Sequence, residues 1–357
     1  AAQGGGPSPY LATLASFVPA MIVREANAGH GGPTEARLER FEAAALFVDV
    51  AGFTALTETL AERGAAGAED LTALLNVFLG RLIGEIVEAG GDVVKFAGDA
   101  VIALWPAAAD APLSERALRA AACACAIRDR LAGFEVAQGF RLRVKLSVGA
   151  GETWTERLGG VYDRWELLLA GDALRQLGAA MDHASPGEIV LSRETAALLA
   201  GAAAGAPAPA GALRLDRLTR APAGAVPPPP APLPHAAAAM RELVPAAARA
   251  RIDAESADWL GELRRVAVVF AMLPDFAAET PLPAAHDAMR AAQKAVYRFE
   301  GAINKISVDD KGASLVAVFG LPPLAHGDDP ERAARGAVAL REALGALGLR
   351  AFVGVAT

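Results

Sequence analysis

The sequence predicts an α+β protein in which a βαββαβ unit occurs twice, the second time cut short. Three observations lead there. An apolar run that stops at an acid, FEAAALFVDV at 41–50, is followed by two stretches of helical spacing and, between them, a pair of short apolar strands. The same order returns after about 210 to 220 residues, a period far longer than that of any solenoid. Between the two copies lies an Ala/Pro/Gly-rich stretch, 201–234, with PPPP at 227–230.

Each element has its own justification. Residues 41–50 have the length and composition of a buried strand. Residues 54–62 read as a short helix after the turn at Gly52. EDLTALLNVFLGRLIGEIVEAGG, 69–91, carries Leu71, Leu74, Leu75, Phe78, Leu82 and Ile86 at helical spacing, and Gly90 closes it. KFAGDAVIALW, 95–105, turns at Gly98-Asp99 and joins the strands DVVKF and AVIALW into a hairpin. ALRAAACACAIRDRLAGF, 117–134, is a second amphipathic helix, and RLRVKLSVGAG, 141–151, a strand. This order is that of a ferredoxin-like split unit. Beyond it a strand pair is expected from 154 to 170, a helix from Gly171, a strand at 188–192 and a helix to Leu199. Residues 9–26, interrupted by Pro19, read as a short helix packed on the first unit. Residues 1–9 read as disordered and 27–35 as a flexible connector. Residues 201–234 have the composition of a linker or a long polyproline loop, and 243–265 that of a helical connector.

The second copy runs through a strand at 264–273, a helix at 285–299, a hairpin at 301–320, a helix at 330–347 and a final strand, LRAFVGVAT. The copies differ in chemistry. Asp49 has Met272 as its counterpart, Lys145 has Phe352, and Lys95 recurs as Lys305. The expected division is an N-terminal segment, 1–35; a first domain, 36–220; a Pro-rich linker with a connector helix, 221–263; and a second domain, 264–357, truncated at its C-terminus. The first residue is not Met and the last ones end on a strand, so both ends read as cut.

The chain has 357 residues, enough for two cores. A net charge of −7 gives no general attraction to nucleic acid or to an anionic membrane surface. The two cysteines, Cys123 and Cys125, lie two apart on a helix and point in different directions, as small core residues do. No apolar run is long enough to span a membrane and nothing resembles a secretory signal, so the simplest compartment is the cytoplasm.

The chemistry concentrates in two acids. Asp49 ends an apolar strand; alone it reads as a strand-end residue. Asp99 sits in a hairpin turn, where Asp is common. Together they carry more weight, because Gly52-Phe53-Thr54 follows one and Lys95 precedes the other. Paired carboxylates beside a glycine turn and a helix start suit Mg²⁺ and a polyphosphate. Magnesium takes one or two protein carboxylates and leaves its other positions to water and phosphate, and the helix adds amide donors and the positive end of its dipole.

FVDVAGFTALTE, 47–58, and GGDVVKFAGDAVIALW, 90–105, resemble the metal-binding strand and hairpin of class III nucleotidyl cyclases, and in particular of the soluble, bicarbonate-responsive adenylyl cyclases. AINKISVDDKGASLVAVFG and FVPAMIV are similar to that group as well. The resemblance implies a tandem of pseudo-symmetric cyclase domains, the first complete and the second truncated. It implies conversion of ATP to cyclic AMP and pyrophosphate by two Mg²⁺ ions, with Mn²⁺ as an alternative. Asp49 and Asp99 would hold the ions with the carbonyl of Val50. Amides around Gly52, Phe53 and Thr54 would cradle phosphate oxygens, and Lys145 would face the phosphates. Lys145 on an exposed sheet face and Lys305 as a solvated strand residue are the plainer readings. Under the resemblance Lys305 corresponds to the lysine that selects adenine.

The resemblance also implies a degenerate second site for bicarbonate, at which Lys95 matches an anion-contacting position. The matching arginine position is Gly178, and Arg175, one helical turn earlier, is the substitute; stimulation by bicarbonate is therefore expected to be weak or absent. The family's transition-state Asn and Arg fall beyond Thr357, so a missing C-terminal part is the expected partner and this stretch alone is expected to be inactive. Two readings compete with an adenylate cyclase. A guanylate cyclase is opposed by Lys305. A catalytically silent nucleotide- or anion-binding regulatory module has no need of both acids. Gly90-Gly91-Asp92 precedes a strand and does not form the hairpin turn, which disfavours a diguanylate cyclase. No P-loop run Gly-x-x-x-x-Gly-Lys-Ser/Thr is present.

Overall fold

A computed structural model describes residues 8–29, 35–132, 134–135, 141–253, 264–309 and 311–357. The chain opens with α1 (Pro9–Ala15) and α2 (Ala20–Asn27), then runs β1 (Arg37–Ala51), α3 (Phe53–Ala61), α4 (Gly64–Glu88), β2 (Asp92–Ala97), β3 (Ala100–Pro106), α5 (Leu113–Arg130) and β4 (Phe134–Glu135). It continues through β5 (Arg141–Val161), β6 (Arg164–Gly171), α6 (Asp172–Met181), β7 (Ile189–Leu191), α7 (Arg193–Leu198), β8 (Ala203–Pro207) and β9 (Leu213–Leu218). Two connector helices follow, α8 (Ala237–Arg241) and α9 (Ala246–Asp253). The last part is β10 (Ala267–Leu273), α10 (Leu282–Tyr297), β11 (Ala302–Asp309), β12 (Gly312–Phe319), α11 (Asp329–Gly345) and β13 (Phe352–Ala356).

The larger sheet runs β2-β3-β1-β5-β7-β9-β8, with β4 and β6 paired to β5. Its centre is β1, whose residues 43–46 are fully buried. Both faces of this sheet are covered, so the strand reads as an unbroken apolar run and not as an alternation. On one face lie α4 and α5, which contribute Phe78, Leu82, Ile86, Leu118 and Ile127 to a core with Leu46, Val48 and Trp105. On the other face α6 packs Ala173 and Leu177 against Ala43, Ala45 and Leu104. The alanine-rich α5 places Ala120, Ala121 and Ala124 fully buried against the strands. Cys123 is buried and Cys125 partly so; both are free, and burial pushes the Cys123 thiol up, as for small core residues.

The second sheet runs β11-β12-β10-β13, the strand order of β2-β3-β1-β5. Its registers repeat as well: Met272 stands opposite Phe352 in β10–β13, as Asp49 stands opposite Lys145 in β1–β5. The core under this sheet comes from α10 and α11 and takes in Leu158 and Leu168 from β5 and β6 of the larger sheet. The two sheets therefore share one apolar seam.

Several expectations meet a different structure. The stretch 201–234 is not uniformly a linker: residues 203–207 and 213–218 are β8 and β9, an antiparallel edge pair. Composition misleads here because the small side chains serve packing. A Cβ on Gly205 would lie 1.9 Å from the carbonyl oxygen of Arg214. Residues 219–233 have no helix or strand, yet they are tied to the fold: Arg119 of α5 donates to the carbonyl of Gly224 at 2.8 Å, and the amide of Leu233 donates to Asn27 Oδ1 of α2 at 2.9 Å. The strands expected separately at 141–151 and from 154 are one strand, β5. It stays paired with β1 from Arg143 to Arg157, and its internal glycines make room for α6: a Cβ on Gly149 would lie 2.4 Å from Ala173 O. The N-terminal helix is two helices parted at Pro19, which lacks the amide needed to continue a helix. Their apolar residues Leu11, Leu14 and Val23 pack chiefly with Met240, Val244 and Ile252 of the connector. That connector is itself broken before α9 at Pro245. The tail of the expected connector helix, 254–263, lies outside the described residues, as do 1–7 and 30–34 of the stretches read as disordered and flexible. No described helix is long and apolar enough to cross a membrane.

Candidate active site

Asp49 lies two residues before the end of β1, next to two strands. On β5 its direct partner is Lys145. Residues directly opposite share a face, and Lys145 Nζ sits 3.4 Å from Asp49 Oδ2, with the two side chains 31% and 28% exposed. Lys145 is therefore neither a solvated lysine nor a buried unpaired one. On the other side, β3 pairs Val101 with Val48. Ala100 pairs with Ala97 across the turn formed by Gly98, at φ 72°, and Asp99. One step of register thus separates Asp99 from the level of Asp49, at the same end of adjacent strands. Asp99 is partly exposed. The side chain of Val50 is buried in the core and takes no part in the site.

After Ala51 the chain turns through Gly52, whose φ of 93° is left-handed and favours glycine. Helix α3 starts immediately, and no side chain caps it. The first-turn amides of Phe53 and Thr54 therefore lack a side-chain acceptor; the side chains of these two residues lie outside the described set. Leu56 and Leu60 anchor α3 in the core and fix where its N-terminus points. One sheet end thus gathers two carboxylates, an ammonium and a positive helix end. Among the described residues no three His, Cys, Asp or Glu side chains cluster as metal ligands. Two carboxylates with open neighbouring positions suit Mg²⁺, which keeps water and phosphate in its shell.

Lys95 and Lys305 line a cavity of about 750 Å³ along the seam between the sheets, which reaches the hairpin turn at Gly98. Its wall includes Gly98 of the hairpin turn, Arg164, Glu166 and Pro227, but neither Asp49 nor Asp99. Lys95 Nζ donates to Ile306 O at 2.8 Å and to Ser307 Oγ at 2.9 Å. Burial, and then the charge of Lys305, push its pKa down to about 8. Arg175 is not there. It pairs with Asp172 on its own helix and lines a separate cavity of about 480 Å³ beside His183 and Arg193. The two cations expected to share an anion site line different cavities.

Sequence reasoning passed over three buried acids, Asp92, Glu156 and Glu166. Asp92 accepts from the amides of Ala20 at 2.7 Å and Met21 at 2.6 Å, so it caps α2 from a distance. Glu166 pairs with Arg164 at 2.9 Å, and burial raises its pKa. Its second oxygen, Oε1, has no hydrogen-bond partner among the described residues. The signal for Glu166 was present: a lone acid in the apolar run WELLLAG. Asp92 gave none, because its partners are far away in sequence.

The strand, hairpin and helix start that hold these residues are those on which the resemblance to class III nucleotidyl cyclases rests, and the chain is related in sequence to adenylate cyclases of that class. It is 30% identical to rat adenylate cyclase type 10 over 184 residues, which is 51% of this chain and 11% of the rat protein. Against human adenylate cyclase type 10 the identity is 26% over 345 residues, covering 87% of this chain and 21% of that protein. Adenylate cyclase 1 of Rhizobium meliloti is 32% identical over 171 residues, 45% of this chain and 24% of that one. The chain thus spans between 11% and 24% of the length of these relatives. Among solved structures, the adenylyl cyclase CyaB from P. aeruginosa aligns with a TM-score of 0.43 and 22% identity, over 53% of this chain and all of CyaB. No protein-family model matches the chain.

Proposed function

We propose that this chain is the cyclase part of an adenylate cyclase, which forms cyclic AMP and pyrophosphate from ATP between two pseudo-symmetric domains, 36–220 and 264–357. The observation that carries the reading is the convergence of Asp49, Lys145, Asp99 and the uncapped start of α3 at one sheet end. The unequal repeat supports it. Met272 and Phe352 stand where the first sheet has Asp49 and Lys145, so only one copy carries the charged set.

In this reading Asp49, Asp99 and the Val50 carbonyl hold two divalent ions, Mg²⁺ or Mn²⁺. Bound there, such ions polarise phosphate oxygens and lower the pKa of a coordinated hydroxyl. The α3 amides at Phe53 and Thr54 receive phosphate oxygens, as helix N-termini do. Lys145 exchanges Asp49 for the triphosphate and offsets part of its charge. Lys305, in the second domain, recognises the base and favours adenine. The test is conversion of ATP to cyclic AMP by the full-length protein and its Asp99→Ala variant. Loss of a metal ligand should lower turnover by about a thousand-fold or more. Near-normal turnover of the variant at saturating Mg²⁺ would overturn the assignment.

Bicarbonate stimulation is expected to be weak or absent. Two of the three ammonium donors of Lys95 are taken by the second sheet, and Arg175 is engaged elsewhere. A bicarbonate titration at fixed pH decides this; strong stimulation that disappears in Arg175→Ala would contradict it.

A further inference from the structure

Two lysines occupy equivalent places in the two hairpins and are used differently. A register shift on β2 falls between Val93 and Lys95, and one on β11 falls between Ile303 and Lys305. Such irregularities bend a strand and re-aim the side chain beside them. Both lysines line the cavity on the seam. There the likeness ends. The ammonium of Lys95 crosses to the other sheet and holds Ile306 O and Ser307 Oγ, the two residues that follow Lys305. Lys305 is partly buried and makes no hydrogen bond or ion pair among the described residues. Its charge acts on Lys95, so the two ammonium groups repel each other.

An unpartnered side chain with many rotamers has no fixed direction of its own. What fixes it must be the strand that carries it and the charges around it. β11 is an edge strand, hydrogen-bonded among the described residues to β12 alone. A second restraint on it therefore matters. Lys95 supplies that restraint next to Lys305, and its own positive charge disfavours rotamers that bring the Lys305 ammonium toward it.

We propose that Lys95 is a positioning residue for Lys305: it clamps β11 at Ile306 and Ser307 and keeps the Lys305 ammonium directed into the open cavity. This rests on the reading of Lys305 as the residue that selects the base. Lys95 then influences the choice between ATP and GTP without touching either nucleotide.

The test compares the wild-type, Lys95→Met, Lys95→Arg and Lys305→Met full-length proteins by hydrogen–deuterium exchange and by turnover of ATP and GTP. Lys95→Met removes two charge-assisted hydrogen bonds, so amides of 302–309 should exchange about ten-fold faster or more. Lys305→Met should leave them unchanged. The ratio of kcat/KM for ATP over GTP should fall in Lys95→Met as it does in Lys305→Met, and recover in part in Lys95→Arg, which keeps charge and donors. Ser307→Ala, which removes one acceptor and no charge, should speed exchange in the same segment by a smaller factor and guards against a misfolded Lys95→Met. Unchanged exchange in both Lys95→Met and Ser307→Ala overturns the clamp. A base preference that falls in Lys305→Met but not in Lys95→Met overturns the positioning. Turnover of neither nucleotide by the wild-type protein would sink the cyclase reading instead, and the exchange data would then decide the clamp by themselves.

Discussion

Asp49 and Lys145 hold each other while each stays about a third open to water, 28% and 31%. At that exposure the attraction is worth less than about 1 kcal/mol. A cation arriving at Asp49 can therefore displace the ammonium at small cost, and the freed Lys145 can turn to a phosphate. Lys145→Met should raise the affinity for Mg²⁺ without nucleotide by up to about five-fold, and should weaken the binding of Mg·ATP. Calorimetric titrations with and without ATP separate the two effects; an unchanged Mg²⁺ affinity would show that the pair does not compete with metal. Glu156 gives a different residue-scale prediction. It is 3% exposed, and burial, opposed by Arg40, raises its pKa from 4.5 to about 7. The folded state then binds more protons than the unfolded state between those values, so stability falls as pH rises from about 4.5 to 7. Glu156→Gln should remove this slope and gain up to about 3 kcal/mol at pH 8 relative to pH 5, read from urea unfolding at both pH values. An identical slope in the variant would show that Glu156 stays charged. What the sequence reveals at this scale follows from locality. Asp49 and Asp99 stand out because each interrupts an apolar pattern within a few residues. Asp92 acts through amides 71 and 72 residues away, and no local pattern records that.

At the scale of elements, the helices and strands with strong periodicity were legible and their joints were not. The α4 and α5 stretches announce themselves by spacing. The continuity of β5 does not, because Gly149 and Gly151 read as a break. Their purpose is the close approach of α6, whose Ala173 carbonyl lies where a Gly149 side chain would be. Gly149→Ala should therefore cost about 1–3 kcal/mol through overpacking. Gly354→Ala on β13, where nothing lies within 4 Å of the added carbon, should change stability by less than about 0.5 kcal/mol. Thermal unfolding of the two variants side by side checks the contrast, and equal losses would mean that α6 can shift. The strand β9, LRLDRL, has no Ala or Gly and was masked only by the composition around it, whereas β8, AAGAP, was hidden for a similar reason. Alanine and glycine are read as linker residues, yet at an edge where the backbone of Arg214 passes close they are what fits.

At the scale of the molecule, the two sheets are joined by more than an apolar seam. Gln293 of α10 is fully buried. Its Nε2 donates to Arg164 O at 2.9 Å and its Oε1 accepts from Val161 N at 3.1 Å, so one side chain of the second core closes the tip of the β5–β6 hairpin. Gln293→Ala strands both backbone groups and should cost about 2–4 kcal/mol. It should also loosen the coupling between the halves, seen as a broader or split unfolding transition; a single transition at unchanged denaturant concentration would show the halves to be held by other contacts. This joint was beyond the reach of sequence reading, which found the repeat but had no means to dock one copy on the other. The length of β5 gives the joint a further meaning. The same unbroken strand carries Lys145 near one end and Leu158, inside the second core, near the other. An extended backbone is stiff along its axis and has no slack to take up a small displacement. Between the packing of α10 on Leu158 and the place of Lys145 there is strand backbone throughout and no loop.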